Sequence, residues 1–140
     1  MNKLVSIIMP AYNCADYIVE SIRSVQSQTY RNWELIIADD KSTDGTVDIV
    51  RVMAKDDNRI RLLETDRNLG PAAARNRAMD VANGNYIAFL DSDDVWYPDK
   101  LQKQLDFMEA NGYSFTYTAY EKINELGENM GVVISAPKSV

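Results

Sequence analysis

The chain has 140 residues, 46% of them hydrophobic and 26% charged, with a net charge of −6, a single cysteine and no histidine. That length suits one compact domain over residues 1–140, and the balance of apolar and charged residues excludes disorder and collagen-like repetition. The acidic excess excludes a nucleic-acid polymer as partner, because phosphate-dominated binding needs a basic face.

Cys14 cannot close an internal disulfide, no run of about 18 apolar residues offers a membrane span, and no charged-then-apolar leader opens the chain. A cytoplasmic setting is expected. With no histidine the usual zinc ligand and general base are missing, so chemistry has to rest on carboxylates, arginine and a hard cation.

In chain order, Leu4 to Met9 is a short apolar run closed by Pro10 and predicts a strand buried on both faces. From Asp16 to Val25, Tyr17, Ile18, Ile22 and Val25 recur at helical spacing. Trp33 to Ala38 predicts a second strand, running into Asp39 and Asp40 and a Ser42-Thr43-Asp44-Gly45 turn, and Thr46 to Met53 the next helix. Ile60 to Leu63 predicts a third strand. After Asn68-Leu69-Gly70 a helix opens at Pro71, whose fixed φ suits a first helical position, and it stops near Asn83-Gly84. Tyr86 to Leu90 predicts a fourth strand, followed by Asp91-Ser92-Asp93-Asp94; Pro98 begins a helix that Gly112 closes, and Ser114 to Ala119 predicts a fifth strand. Strand and helix alternate, which is the signature of an α/β fold with a mostly parallel sheet and helices on both faces. In such a sheet the loops after the strands share one edge, where ligands bind. Pro10 to Asn13, Asp39 to Ser42, Asn68 to Gly70 and Asp91 to Asp94 therefore belong on one rim.

Asp91-Ser92-Asp93 is the sharpest feature. Two carboxylates one residue apart at a strand end can project toward one cation, and hard oxygen ligands suit Mg²⁺ or Mn²⁺ shared with substrate phosphates. Asp94 crowds a third carboxylate onto the turn, where a cation would relieve the repulsion; the bland alternative is a solvated turn capping the next helix. The Asn68 to Pro71 loop leads into a helix whose backbone N–H groups and dipole favour an anion such as a diphosphate. Ala72, Ala73, Ala74 and Ala78 permit close approach of that helix to the sheet, Arg75 can fork a phosphate, and Arg77, about 200° round the helix, belongs to solvent or a surface ion pair. Asp39 and Asp40 can accept from a nucleobase or ribose, or cap the helix after Gly45. The Tyr12 ring can lie against a base or pack on the first helix.

Taken in order, Val5-Ser6-Ile7-Ile8-Met9-Pro10-Ala11-Tyr12-Asn13, Ser24-Val25, Gln28-Thr29-Tyr30, Trp33-Glu34-Leu35-Ile36-Ile37, Asp39-Asp40-Lys41-Ser42-Thr43-Asp44-Gly45-Thr46, Asn68-Leu69-Gly70, Ala74-Arg75-Asn76, Gly84-Asn85-Tyr86-Ile87 and Leu90-Asp91-Ser92-Asp93-Asp94 resemble the family 2 glycosyltransferases of the GT-A fold, over about residues 4–110. The resemblance implies that Pro10, Ala11, Tyr12 and Asp40 surround the nucleobase and that Asn68 and Arg75 hold the nucleotide. It places Asp91 and Ser92 against the donor, and Asp91 with Asp93, the principal ligand, on a Mn²⁺ or Mg²⁺ ion. It also implies a nucleotide-diphosphate sugar donor, a UDP-sugar before others, and inversion at the anomeric centre. The acceptor would be a glycan, a lipid-linked sugar or a protein, in cell-surface polysaccharide synthesis at the inner face of a membrane. The family's general base comes from a later acidic motif that Asp99, Asp106, Glu109, Glu121, Glu125 and Glu128 do not match. The chain is thus expected to end within the fold, to bind donor and to transfer poorly. Two rivals share parts of the pattern. A haloacid-dehalogenase-type phosphohydrolase opens with an apolar strand and an Asp pair, which here come two-thirds along the chain. A receiver-like phosphotransfer domain needs an acid pair after the first strand and a Lys after the fifth, and Pro10 to Asn13 and Ala119-Tyr120 supply neither.

Overall fold

A computed structural model describes residues 3–111 and 133–134. The elements run β1 (Val5–Ala11), α1 (Ile18–Gln26), β2 (Trp33–Asp39), α2 (Thr46–Asp56), β3 (Ile60–Glu64), α3 (Pro71–Asp80), β4 (Tyr86–Phe89), α4 (Lys100–Asn111) and β5 (Val133–Ile134). They form one sheet in the order β3-β2-β1-β4-β5. The first four strands are parallel, and β5 joins β4 antiparallel. The expected α/β class and alternation hold, while the strand expected over Ser114 to Ala119 lies outside the described residues.

Successive residues of a strand face opposite sides, and the two cores sort accordingly. Val5, Ile7, Met9, Leu35 and Ile37 pack with Ile18, Ile22 and Val25 of α1, Val50 of α2 and Leu101, Leu105 and Met108 of α4. Ile8, Ile36 and Ala38 meet Ala74, Ala78 and Ala82 on the other face. Alanines at i, i+4 and i+8 let α3 lie close to β1 and β2. Ala72 and Ala73, expected to share that contact, turn away from it, Ala72 into solvent and Ala73 half-buried.

β1 runs to Ala11, two residues beyond its expected end at Met9. The reason is in the ladder. The carbonyl of Ile8 accepts from Leu90 N at 3.0 Å, on the β4 side, and Pro10, two residues on, turns its backbone to the same side, where β4 has already ended. The missing N–H of proline therefore costs no ladder bond. At the opposite end of β1, the Ser6 hydroxyl donates to Oε2 of Glu34 at 2.5 Å, and the backbone N–H groups of Asn83 and Gly84 donate to Glu34 and Ser6. A Cβ on Gly84 would stand 2.5 Å from Ser6 Oγ and 2.6 Å from Ser6 N, so the α3–β4 connection closes on β1 only through glycine.

Candidate functional site

The carboxyl ends of β1, β2 and β4 and the start of α3 surround an open cavity of about 580 Å³. Nine residues singled out from the sequence line it together: Pro10, Ala11 and Tyr12 after β1, Asp40 after β2, Asn68 and Arg75 around the start of α3, and Asp91, Ser92 and Asp93 after β4. Up to 83 residues separate them in sequence, and parallel strand order alone explains their meeting. Asp39, Ser42 and Asp94, expected on the same rim, are not part of the lining.

Loop-to-loop hydrogen bonds hold the rim in shape. Asn13 and Lys41 both take left-handed backbone conformations, φ 48° and 63°. Asn13 N donates to Ser42 Oγ at 2.9 Å and its side-chain oxygen accepts from Thr43 N at 2.8 Å, so the loops after β1 and β2 brace each other. Asp39 accepts from the N–H and hydroxyl of Ser42. Neither Asp39 nor Asp40 caps α2; Asp44 serves its first turn instead, accepting from Thr46 N at 3.0 Å and from the Thr46 hydroxyl, and these bonds, the hydroxyl's first, hold its carboxyl below the usual range.

Asp40 is 3% exposed and accepts from Leu69 N and Gly70 N, both at 2.8 Å, one on each carboxylate oxygen. It ties the loop after β2 to the start of α3. The sequence placed an anion at the N–H groups of the helix that this loop opens, and the loop's own amides, those of Leu69 and Gly70, serve Asp40. What remains is the first turn of α3 itself, which has no side-chain cap and no acidic residue. Gly70 enters it at φ 96°, which favours glycine. A carboxylate has about four acceptor positions, so Asp40 keeps capacity for a donor in the cavity.

On the far wall, Asp91, Asp93 and Asp94 each offer a carboxylate oxygen, all within 4.8 Å of one another. This all-oxygen set, of which Asp91 and Asp93 line the cavity, fits a hard divalent cation that keeps part of its water shell. Arg75 reaches across from the second turn of α3, and its Nη2 donates to Asp91 Oδ1 at 3.2 Å. Arg77 is exposed, as its position round the helix implies. From behind, the fully buried hydroxyl of Ser21 on α1 lies 2.9 Å from the carbonyl oxygen of Ser92 and also reaches that of Asp94.

Cys14 and Tyr17 also line the cavity, and neither was legible as a site residue. Tyr17 fits the apolar spacing of the first helix, yet α1 starts one residue later and the ring stays 57% exposed on the rim. Burial pushes the Cys14 thiol up from its ordinary value, so it is a neutral packing group rather than a nucleophile.

Comparison with known proteins identifies the family and the fold. The sequence profile described as glycosyl transferase family 2 covers residues 6–136. The chain is 50% identical over 121 residues to the Escherichia coli UDP-Glc:alpha-D-GlcNAc-diphosphoundecaprenol beta-1,3-glucosyltransferase WfgD, covering 86% of this chain and 47% of that protein. It thus spans about half the length of that relative. Among solved structures, S. aureus TarS 1-349 in complex with UDP-GlcNAc superposes with a TM-score of 0.80 at 28% identity, over 86% of this chain and 35% of TarS. The mannosyltransferase PcManGT from Pyrobaculum calidifontis, in complex with GDP-Man and Mn²⁺, gives 0.72 at 30% identity, over 77% and 33%.

Proposed function

The chain belongs to glycosyl transferase family 2 and has its GT-A fold, and from that premise we propose that it forms the donor-binding part of an inverting, metal-assisted glycosyltransferase that uses a UDP-sugar. The observation that carries the reading is the shared cavity. A partly apolar group of Pro10, Ala11, Tyr12 and Asp40 shares it with the carboxylates of Asp91 and Asp93, beside which Asp94 clusters outside the lining, and with Arg75 and the start of α3.

In this arrangement the base lies against the Tyr12 ring, with Tyr17 beside it, while Asp40 accepts from the base or ribose. Asn68 and Arg75 hold the nucleotide, Arg75 and the dipole of α3 drawing the diphosphate inward. Asp91, with Ser92 beside it, faces the donor. Asp91 and Asp93 would hold Mn²⁺ or Mg²⁺, whose Lewis acidity offsets the charge that gathers on the departing diphosphate. A general base is still required to deprotonate the acceptor. Among the described residues the acids lining the cavity are Asp40, Asp91 and Asp93, all assigned to the donor, so the base is drawn from outside them and the isolated chain binds donor but transfers poorly. The names of WfgD and TarS's ligand support UDP, WfgD's diphosphoundecaprenol supports a lipid-linked acceptor, and the PcManGT complex supports Mn²⁺. Among the described residues no helix is long and apolar enough to cross a membrane.

Thermal unfolding with UDP, dTDP and GDP, each with and without manganese, tests the reading. A ligand that binds only the folded chain raises the midpoint. The midpoint should rise most with UDP, and further when manganese is present; an equal rise with chelator, or a preference for GDP, contradicts it.

A further inference from the structure

The acidic turn is carried by a segment, residues 91–99, with neither helix nor strand structure of its own. Its direction has to come from elsewhere, and α1 provides it. Ser21 on α1 and Gln28, just past its end, are both fully buried polar side chains. The Ser21 hydroxyl reaches the carbonyl oxygens of Ser92 and Asp94, the residues on either side of Asp93. Gln28 donates to Tyr97 O at 2.7 Å and accepts from Leu101 N at 3.0 Å, and Thr29 N donates to Pro98 O at 2.8 Å.

We propose that Ser21 is a positioning residue of the donor site, which by holding from behind the peptide unit that enters Asp93 and the one that leaves Asp94 aims the Asp93 carboxylate at the cation. This rests on the donor-site reading above. A hydroxyl has one proton, which the two carbonyls share. Holding the chain where it enters Asp93 and where it leaves Asp94 restrains the turn that carries the Asp93 Cα–Cβ bond, which a single contact does not. Gln28 and Thr29 act further along the segment, where α4 begins; they secure the fold there and do not aim a ligand. Buried carbonyls need donors in any case, so the role in positioning is separable only by what Ser21 does to ion affinity. Residues one shell behind a metal typically change that affinity by about 10–100-fold when removed.

The test is a manganese titration of the 140-residue chain by electron paramagnetic resonance of the free ion, with and without UDP, beside thermal unfolding and UDP calorimetry in manganese-free buffer. Ser21→Ala should weaken manganese binding about tenfold while leaving manganese-free UDP binding unchanged, and Ser21→Thr should restore most of the loss. Ser24→Ala is the control. Its hydroxyl bonds Ser21 O within the same helix and touches no residue of the acidic turn through that bond, so its manganese affinity should match wild type. Wild-type affinity in Ser21→Ala, or an equal loss in Ser24→Ala, overturns the proposal. Should Ser21→Ala not fold, Ser21→Cys, close in volume and a weak donor, should still lose about threefold or more, and wild-type affinity there overturns it as well. Failure of the donor-site reading looks different: manganese binding absent from wild type, or retained in Asp93→Ala, removes the ion from this turn and the role of Ser21 with it.

Discussion

The guanidinium of Arg75 and the carboxylate of Asp91, both lining the cavity, form a hydrogen-bonded ion pair at 3.2 Å, with side chains 39% and 54% exposed. One partner is placed to hold a diphosphate and the other a cation. The pair therefore gives Asp91 a positive neighbour before any ion arrives, and both partners must exchange it when donor and ion bind. Exposed pairs of this kind are weak, about 0.2–1 kcal/mol, so the exchange is easy.

Arg75→Gln should accordingly have opposite effects on the two ligands. Manganese should bind the nucleotide-free variant about threefold more tightly than wild type, in keeping with the loss of one weak competing pair, while UDP in the presence of manganese should bind more weakly. Arg77→Gln removes the same charge from the same helix at an exposed position and should change neither. Calorimetric titration of each ligand checks this; weaker manganese binding in Arg75→Gln would show that the arginine does not compete for Asp91.

Asp40→Asn should loosen the start of α3. An amide offers one oxygen where the carboxylate offers two, so the N–H of Leu69 or of Gly70 loses its acceptor. Losing a bond to a buried charged group costs about 1.5–3 kcal/mol, to be read as a lower urea midpoint. UDP affinity should fall with it, because the same strap aligns Asn68 and Arg75.

Gly84→Ala should separate stability from the site. The added methyl would press on Ser6 N and Leu4 O, backbone atoms of a central strand and its entry, at 2.6 and 2.8 Å. Overpacking of this kind typically costs about 1–3 kcal/mol, or more where backbone must move. The contact lies at the end of β1 away from the cavity, so chain that remains folded should bind UDP as wild type does.

Asp57 sets an acid limit on the fold away from the site. Its carboxyl bonds the Nε and Nη2 of Arg59, and these bonds, with smaller help from Gln26, hold its pKa down to about 2. A carboxylate whose folded pKa is depressed adds stability at all pH values above its unfolded value of about 3.9, and that contribution fades as pH falls toward 2. The stability gap between wild type and Asp57→Asn should hold constant above pH 5 and close by pH 2, read by urea denaturation.

Most of the sheet and the outline of the cavity were legible because both rest on rules of period and direction. Apolar runs such as Leu35-Ile36-Ile37 announce a strand buried on both faces, and parallel order then delivers Asp40 and Asp91 to the same edge. What the sequence could not carry were contacts that depend on where a backbone amide points. Nothing in Asp39-Asp40 tells which of the two will grip Ser42 and which will cross to Leu69 and Gly70. Pro10 read as a stop because the pattern does not reveal that β4 is two residues too short to need its N–H. Nothing in the sequence marks Ser21, since a buried hydroxyl has meaning only through the loop that it meets.

The central claim is that Asp93 and its neighbours hold a divalent cation that joins the nucleotide diphosphate to the protein. Calorimetric titration of UDP into wild type and Asp93→Ala, each with manganese and with chelator, tests it most directly. Wild type should bind UDP in a manganese-dependent way, and Asp93→Ala, with an unchanged circular dichroism spectrum, should lose that dependence. Manganese-dependent binding of equal affinity in the two proteins would contradict it.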